Sequence, residues 1–166
     1  MTPVRKTPRD LEYFSYLGKG NSLNIWYKVK NPLRVAWNFI IISLCKSMPS
    51  LALKRALYRS LGMKIGKNVS IGLGAMFDIF FPELIEIGDN TIIGYGSTII
   101  AHEFLVDEWR IGKVVIGKNV MIGANSTVIA GVNIGDNSTV SACSFVNRNV
   151  KPFTFVEGVP IRAANR

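Results

Sequence analysis

The sequence predicts an all-β solenoid of about four three-sided coils behind an N-terminal helical segment, and three observations predict it. The first is a period. Ile65, Ile71, Phe77, Ile87, Ile93, Ile99, Ile116, Ile122, Val128, Ile134, Val140 and Val146 open successive hexapeptides, and all but Phe77 are β-branched. Six matches neither the roughly 3.6-residue turn of a helix nor the alternation of a plain strand. It suits short strands that turn a corner in every repeat. The second observation is the residue that follows each opener. Counted in threes, it is Gly66, Gly88, Gly117 and Gly135 on a first face, and Gly72, Gly94, Gly123 and then Ser141 on a second. On a third face it is Asp78, Ile100, Ile129 and Asn147, so the repeat distinguishes three faces. The third observation is that the spacing breaks only twice, at 82–87 and at 104–116, each time after a third-face hexapeptide. Both insertions therefore leave the solenoid at one corner, one coil apart. Loops held on a rigid scaffold are a usual seat of function.

The elements follow in order. Residues 1–64 form a basic, apolar N-terminal unit, in which 1–31 are polar and aromatic by turns and read as an irregular arm or a short helix. The apolar run 33–48 reads as a helix that Pro49 ends, and Ser50 can cap a second helix closing near Gly62. On that second helix Leu53, Leu57 and Leu61 share a stripe, with Lys54, Arg55 and Arg59 on other faces. Residues 65–151 form the solenoid, with an extruded loop at 103–115. Pro152 is expected to halt the repeat and 152–166 to leave the axis as a tail.

One domain is the reading for 166 residues. The net charge of +9 is unevenly placed: residues 1–64 hold twelve Lys or Arg against Asp10 and Glu12, whereas 65–166 hold eight against nine acids. Two uses of the basic helical pair stay open. It can lie in the headgroup region of an anionic membrane, or it can close the open end of the solenoid, whose terminal coil exposes unpaired edge groups. Nucleic-acid binding is disfavoured, because the cations interleave with an aliphatic run instead of flanking displayed aromatics.

The most apolar stretch, 35–45, contains Asn38 and falls short of the ~20 residues a spanning helix needs. A secretory signal is disfavoured by its distance from Met1 and the lack of a cleavage site. Cys45 and Cys143 have no metal-ligand spacing and read as buried, reduced thiols of a cytosolic protein.

His102 is the one histidine. It ends a third-face hexapeptide at the mouth of the long loop, where a neutral imidazole can serve as general base. Repeat arithmetic aligns Phe77 with Ile99, hence Asp78 with Ile100 and Phe80 with His102, in coils about 4.8 Å apart. Asp78 can then orient the imidazole or a substrate, or be a turn residue.

With these elements the chain resembles the hexapeptide-repeat, left-handed parallel β-helix acyltransferases of the maltose/galactoside and xenobiotic O-acetyltransferase type. The resemblance rests on the isoleucine hexapeptides, a His before an extruded loop, the block Ile116-Gly117-Lys118-Asn119-Val120-Met121-Ile122-Gly123-Ala124-Asn125, and the closing Gly158-Val159-Pro160-Ile161-Arg162. It implies a homotrimer with a site between subunits, acetyl-CoA as acyl donor, His102 as base and no metal. It further implies that Ala124, Ala142, Asn147 and Arg162 line the coenzyme groove, while Asp78, Phe80 and Glu103, grouped about His102 by register and sequence, are expected to face the acceptor. The expected acceptor is a carbohydrate hydroxyl, small or lipid-linked. The enzyme is expected in the cytoplasm, in peripheral contact with the inner membrane face. A γ-type carbonic anhydrase would need several histidines around zinc. The competing reading is a catalytically silent β-helix that binds an anionic membrane or polyanion through its N-terminal segment.

Overall fold

The computed structural model describes residues 9–164. Twelve short strands stack into three parallel sheets, one for each face. Ile65, Ile87, Ile116 and Ile134 pair in register on the first face. Ile71, Ile93, Ile122 and Val140 do so on the second, and Phe77, Ile99, Val128 and Val146 on the third. All twelve openers are buried and form the core of the solenoid. The glycines after them are required by close stacking, since a Cβ on Gly88 would come within 2.6 Å of the Gly117 backbone. The corner after the first face is turned by Asn68, Asn90, Asn119 and Asn137, with φ of 55, 56, 53 and 59°. Asparagine tolerates this left-handed region better than most residues. Its amides add a ladder, in which Asn90 donates to Asn119 at 2.9 Å and Asn119 to Asn137 at 3.1 Å.

The repeat does not end at Pro152. Val150 bridges Ile134 in parallel, and Phe155–Glu157 pairs in parallel with Thr139–Val140, so a partial fifth coil continues the first two faces. Only then does Arg162–Ala163 turn back antiparallel. Pro152 fits because it sits at a corner, where no ladder N–H is needed.

The N-terminal segment is more ordered than an irregular arm. Glu12–Ser15 is a strand that pairs antiparallel with Glu108–Ile111, which pairs in turn with His102–Phe104. The extruded loop is thus a hairpin completed by the N-terminal strand. A helical turn, α1 (Trp26–Val29), leads to α2 (Pro32–Ser47) and α3 (Leu51–Ser60). Both predicted helices are present, and Ser50 caps α3 by accepting from the Leu53 amide.

On α3 the leucine stripe is only partly inward, since Leu61 is buried and Leu57 packs on the core while Leu53 does not. Leu53 is 48% exposed, whereas Lys54 is 1% exposed. The reason lies in the ladder. Each coil's amides donate to carbonyls of the next, as Gly66 does to Ile87, Ser70 to Thr91 and Gly72 to Ile93. The equivalent carbonyls of the first coil, on Ile65, Val69 and Ile71, have no earlier coil to serve them. Arg59 donates to Ile65 O, Arg55 to Val69 O, and Lys54 to Ile71 O and Gly72 O. Burial lowers the Lys54 pKa below its usual value. An unpaired buried carbonyl costs roughly 1–3 kcal/mol, so the cations are placed where the solenoid needs donors. Cys45 is buried as expected, but Cys143 is exposed at a corner, with φ of 58°.

Candidate active site

The third-face register brings Asp78 to His102. His102 follows buried Ala101 at the corner where the hairpin leaves, and Asp78 occupies the same corner one coil earlier. Asp78 Oδ2 lies 2.5 Å from His102 Nδ1 and accepts from the Ala101 amide at 2.7 Å. Its Oδ1 accepts from the Phe80 and Phe81 amides, both at 2.8 Å. Burial alone would raise the Asp78 pKa. The hydrogen bond and charge of His102, with the backbone donors of Phe81 and Ala101, outweigh it and hold the carboxyl below its ordinary range. An ionised carboxylate can only accept, so Nδ1 carries the proton and the Nε2 lone pair is left for an incoming group. The His102 side chain keeps 17% of its surface open. Asp78 is 1% exposed and fully engaged. Of its expected places the structure fits the one behind the imidazole and not the one toward an acceptor, and its bonds from the amides two and three residues on make it a turn residue as well.

Around His102 stands an aromatic wall. The Phe80, Phe104 and Phe81 rings lie 4.7, 5.2 and 6.1 Å from the imidazole. Trp26 meets Phe80 edge-on, and Trp109 stacks on Phe14 of the N-terminal strand. Phe80 is where the repeat placed it. Phe81, Phe104 and Trp109 were not singled out, although Phe104 and Trp109 belong to the long insertion and Phe81 directly precedes the short one at the same corner, which was the available signal. Trp26 left none, since α1 is brought here only by the folded N-terminal segment.

Glu103 is also placed differently. Its carboxylate is bound by Arg9, which also donates to Ala130 O at 3.1 Å, and lies 3.5 Å from Arg110. It fastens the N-terminal segment to the hairpin instead of reaching an acceptor. Beside it the Asp10 amide donates to Gly131 O at 3.0 Å. Gly131 has φ of +75°, and a Cβ there would lie 2.3 Å from Asp10 O.

Of the four residues expected to line a coenzyme groove, two are brought together. Ala124 and Ala142 sit in successive coils at the corner between the second and third faces, with Cys143 N donating to Ala124 O at 2.8 Å. Asn147 lies at the other edge of the third face, and its buried Oδ1 has no hydrogen-bond partner. Arg162, on the closing strand, lines a cavity of about 320 Å³ with Arg148 and Lys151 at the C-terminal end. Within one chain the width of the third face separates His102 from Ala124 and Ala142. Among the described residues no group of three or more His, Cys, Asp or Glu could hold a metal ion.

Comparison with known proteins gives a consistent picture. Residues 113–148 match the family model described as the hexapeptide repeat of succinyl-transferase. The chain is 50% identical to the protein named "Putative acetyltransferase YvoF" of Bacillus subtilis, over 86% of this chain and 83% of that one. It is 33% identical to the galactoside O-acetyltransferase of Escherichia coli, over 58% of this chain and 53% of that one. Among solved structures it resembles the hexapeptide-repeat acetyltransferase VCA0836 of Vibrio cholerae in complex with acetyl coenzyme A. The TM-score is 0.68 at 25% identity, covering 80% of this chain and 86% of that one.

Proposed function

The chain belongs to the hexapeptide-repeat, left-handed β-helix acetyltransferases, and on that premise we propose that it moves an acetyl group from acetyl-CoA to a hydroxyl of a carbohydrate acceptor, with His102 as general base. The observation that carries this reading is the Asp78–His102 pair. Nε2 of His102 removes the acceptor hydroxyl proton as the oxygen attacks the thioester carbonyl. A backbone amide steadies the oxyanion, the C–S bond breaks, and the departing thiolate regains a proton from the imidazolium. Asp78 stabilises the positive charge that passes through the ring. Both substrates meet in one cleft, so proximity supplies much of the rate and no acyl-enzyme is needed.

The aromatic wall of Phe80, Phe104 and Trp26 supports a sugar, whose C–H-rich ring face packs on aromatic side chains while its hydroxyls stay polar. The galactoside acceptor in the E. coli relative's name points the same way. The separation of His102 from Ala124 and Ala142 supports a homotrimer in which one chain supplies the base and its neighbour the small residues that admit the pantetheine arm. Arg162, Arg148 and Lys151 offer cations for the phosphates of coenzyme A. The silent-scaffold alternative loses ground, because it leaves the Asp78–His102 pair without a use and because three of the twelve N-terminal cations, Lys54, Arg55 and Arg59, are spent on first-coil carbonyls.

The test is coenzyme A release from acetyl-CoA, followed by thiol titration, with a panel of free sugars, sugar nucleotides and lipid-linked saccharides. A sugar-dependent release that falls by roughly 10²–10⁴ in His102→Ala, with acetyl-CoA still bound by calorimetry, is the expected result. Release that no hydroxyl acceptor stimulates, or an unchanged kcat in the variant, overturns the proposal.

A further inference from the structure

Helix α2 is apolar on both sides. Val35, Asn38, Ile41, Ile42 and Cys45 are buried, with Asn38 donating to Ile79 O at 2.8 Å. The stripe turned away from the solenoid, at spacings of four, three and four, is Leu33, Trp37, Ile40 and Leu44, all of them exposed. A helix that is apolar all round needs a partner on each side, and the first coil supplies only one. None of the described helices is long and apolar enough to cross a membrane.

The charge around this stripe is one-sided. No Asp or Glu falls between Glu12 and Asp78, so the helical cap and the first two faces of the first coil carry cations alone. Many of these are spent internally: Lys54, Arg55 and Arg59 serve the first coil, Arg34 donates to Leu61 O, and Lys30 pairs with Glu83. Lys28 and Lys46 close the last turns of α1 and α2. Helices with an outward apolar stripe, a few lysines and no acidic residue of their own complement a surface that is anionic outside and apolar beneath.

We infer that the outward face of α2 lies in the headgroup region of an anionic lipid bilayer, with Leu33, Trp37, Ile40 and Leu44 inserted and Lys28 and Lys46 among the phosphates. Because most nearby cations are already engaged, apolar insertion carries more of the binding than charge does. Salt then weakens the contact without abolishing it. In a trimer with parallel axes three such faces would meet one plane, and their linkage would multiply the affinity. The inference concerns the cap of the solenoid and stands apart from the acetyl-transfer reading.

The experiment is co-sedimentation of the full chain with phosphatidylglycerol or phosphatidylcholine vesicles at low and high salt, alongside a Leu33→Gln/Ile40→Gln/Leu44→Gln variant. The wild type is expected to pellet with phosphatidylglycerol vesicles, with a blue shift in tryptophan emission, and to be only partly released by salt. The triple variant is expected to partition at least about tenfold more weakly while keeping the wild-type molar mass in light scattering. If it does not fold, Trp37→Ser alone is expected to lose the blue shift and most of the binding. Absence of wild-type binding to anionic vesicles at low salt, or equal binding by the variants, overturns the inference. So does a fall in the variant's molar mass, which would mean that a second copy of the chain covers this face.

Discussion

Nδ1 of His102 and Oδ2 of Asp78 meet at 2.5 Å across the step between two successive coils. The contact is long-range in the chain, yet it follows from repeat register and requires no loop to find its place. The carboxylate is also held by the Phe80, Phe81 and Ala101 amides, so Asp78 cannot swing away from the imidazole without breaking backbone hydrogen bonds.

Asp78→Asn is therefore expected to cost more than a lost charge. An amide N–H turned toward Nδ1 favours the tautomer with the proton on Nε2, which cannot accept one from the substrate. By analogy with other carboxylate–histidine pairs, kcat should fall by roughly 10²–10⁴. KM for acetyl-CoA should stay within about threefold, since the donor groove is built elsewhere. Steady-state kinetics with each substrate varied separates the two.

Acid stability carries the sign of the same pair. The folded-state pKa of Asp78 lies below its ordinary value, so the unfolded chain binds this proton more tightly. Its stabilising contribution is fully present above the unfolded pKa of about 4 and is lost as pH falls through the folded value. The Tm difference between wild type and Asp78→Asn should be largest near neutrality and shrink in acid. Thermal melts across that range check it, and a gap that widens in acid would contradict it.

The end cap predicts an inverted pattern on α3. Lys54→Ala and Arg59→Ala each leave first-coil carbonyls without donors and should lower stability by about 1–3 kcal/mol. Leu53→Ala removes an exposed side chain and should change it by less than about 0.5 kcal/mol. Urea denaturation ranks the three.

The proposed trimer, with its site divided between chains, predicts complementation. His102→Ala would lack the proposed base, and Ala142→Trp would fill the proposed groove on the opposite edge of the third face. Each variant alone should be inactive. Co-refolded mixtures should recover part of the wild-type rate, because some interfaces pair an intact histidine with an intact groove. Activity that stays at background in every mixture would place the whole site within one chain.

Much of this was legible in the sequence because the interior of a solenoid allows little choice. Each opener must fill the core and be stiff at Cβ, so the Ile and Val column at a period of six marks the strands directly. Register then aligned Asp78 with Ile100 and Phe80 with His102, which put the carboxylate near the imidazole. It could not give burial, so the carboxylate's role remained open between acceptor and imidazole. The strand Glu12–Ser15 was not legible, because its partner is the distant Glu108–Ile111 and four residues carry no pattern of their own. The donor roles of Lys54, Arg55 and Arg59 on α3 were not legible, because amphipathicity assumes a wholly apolar surface beneath. The surface beneath α3 is in part a row of peptide oxygens, beside the core that takes Leu57, Tyr58 and Leu61. The four groove residues Ala124, Ala142, Asn147 and Arg162 came from resemblance alone, and only Ala124 and Ala142 share a corner in successive coils.

The asparagine corners make the solenoid a measuring rod. Asn68, Asn90, Asn119 and Asn137 repeat one backbone conformation, so every coil restores the same facing while advancing about 4.8 Å. The axial distance from His102 in the second coil to Arg162 beyond the fourth is therefore set by counting graduations. Duplicating or deleting one unit of about 18 residues would change that reach by a single graduation and turn no side chain from its face. The span of molecule that fits along the groove is in this sense an integer, adjustable by copying a stretch of chain without redesigning any part of it.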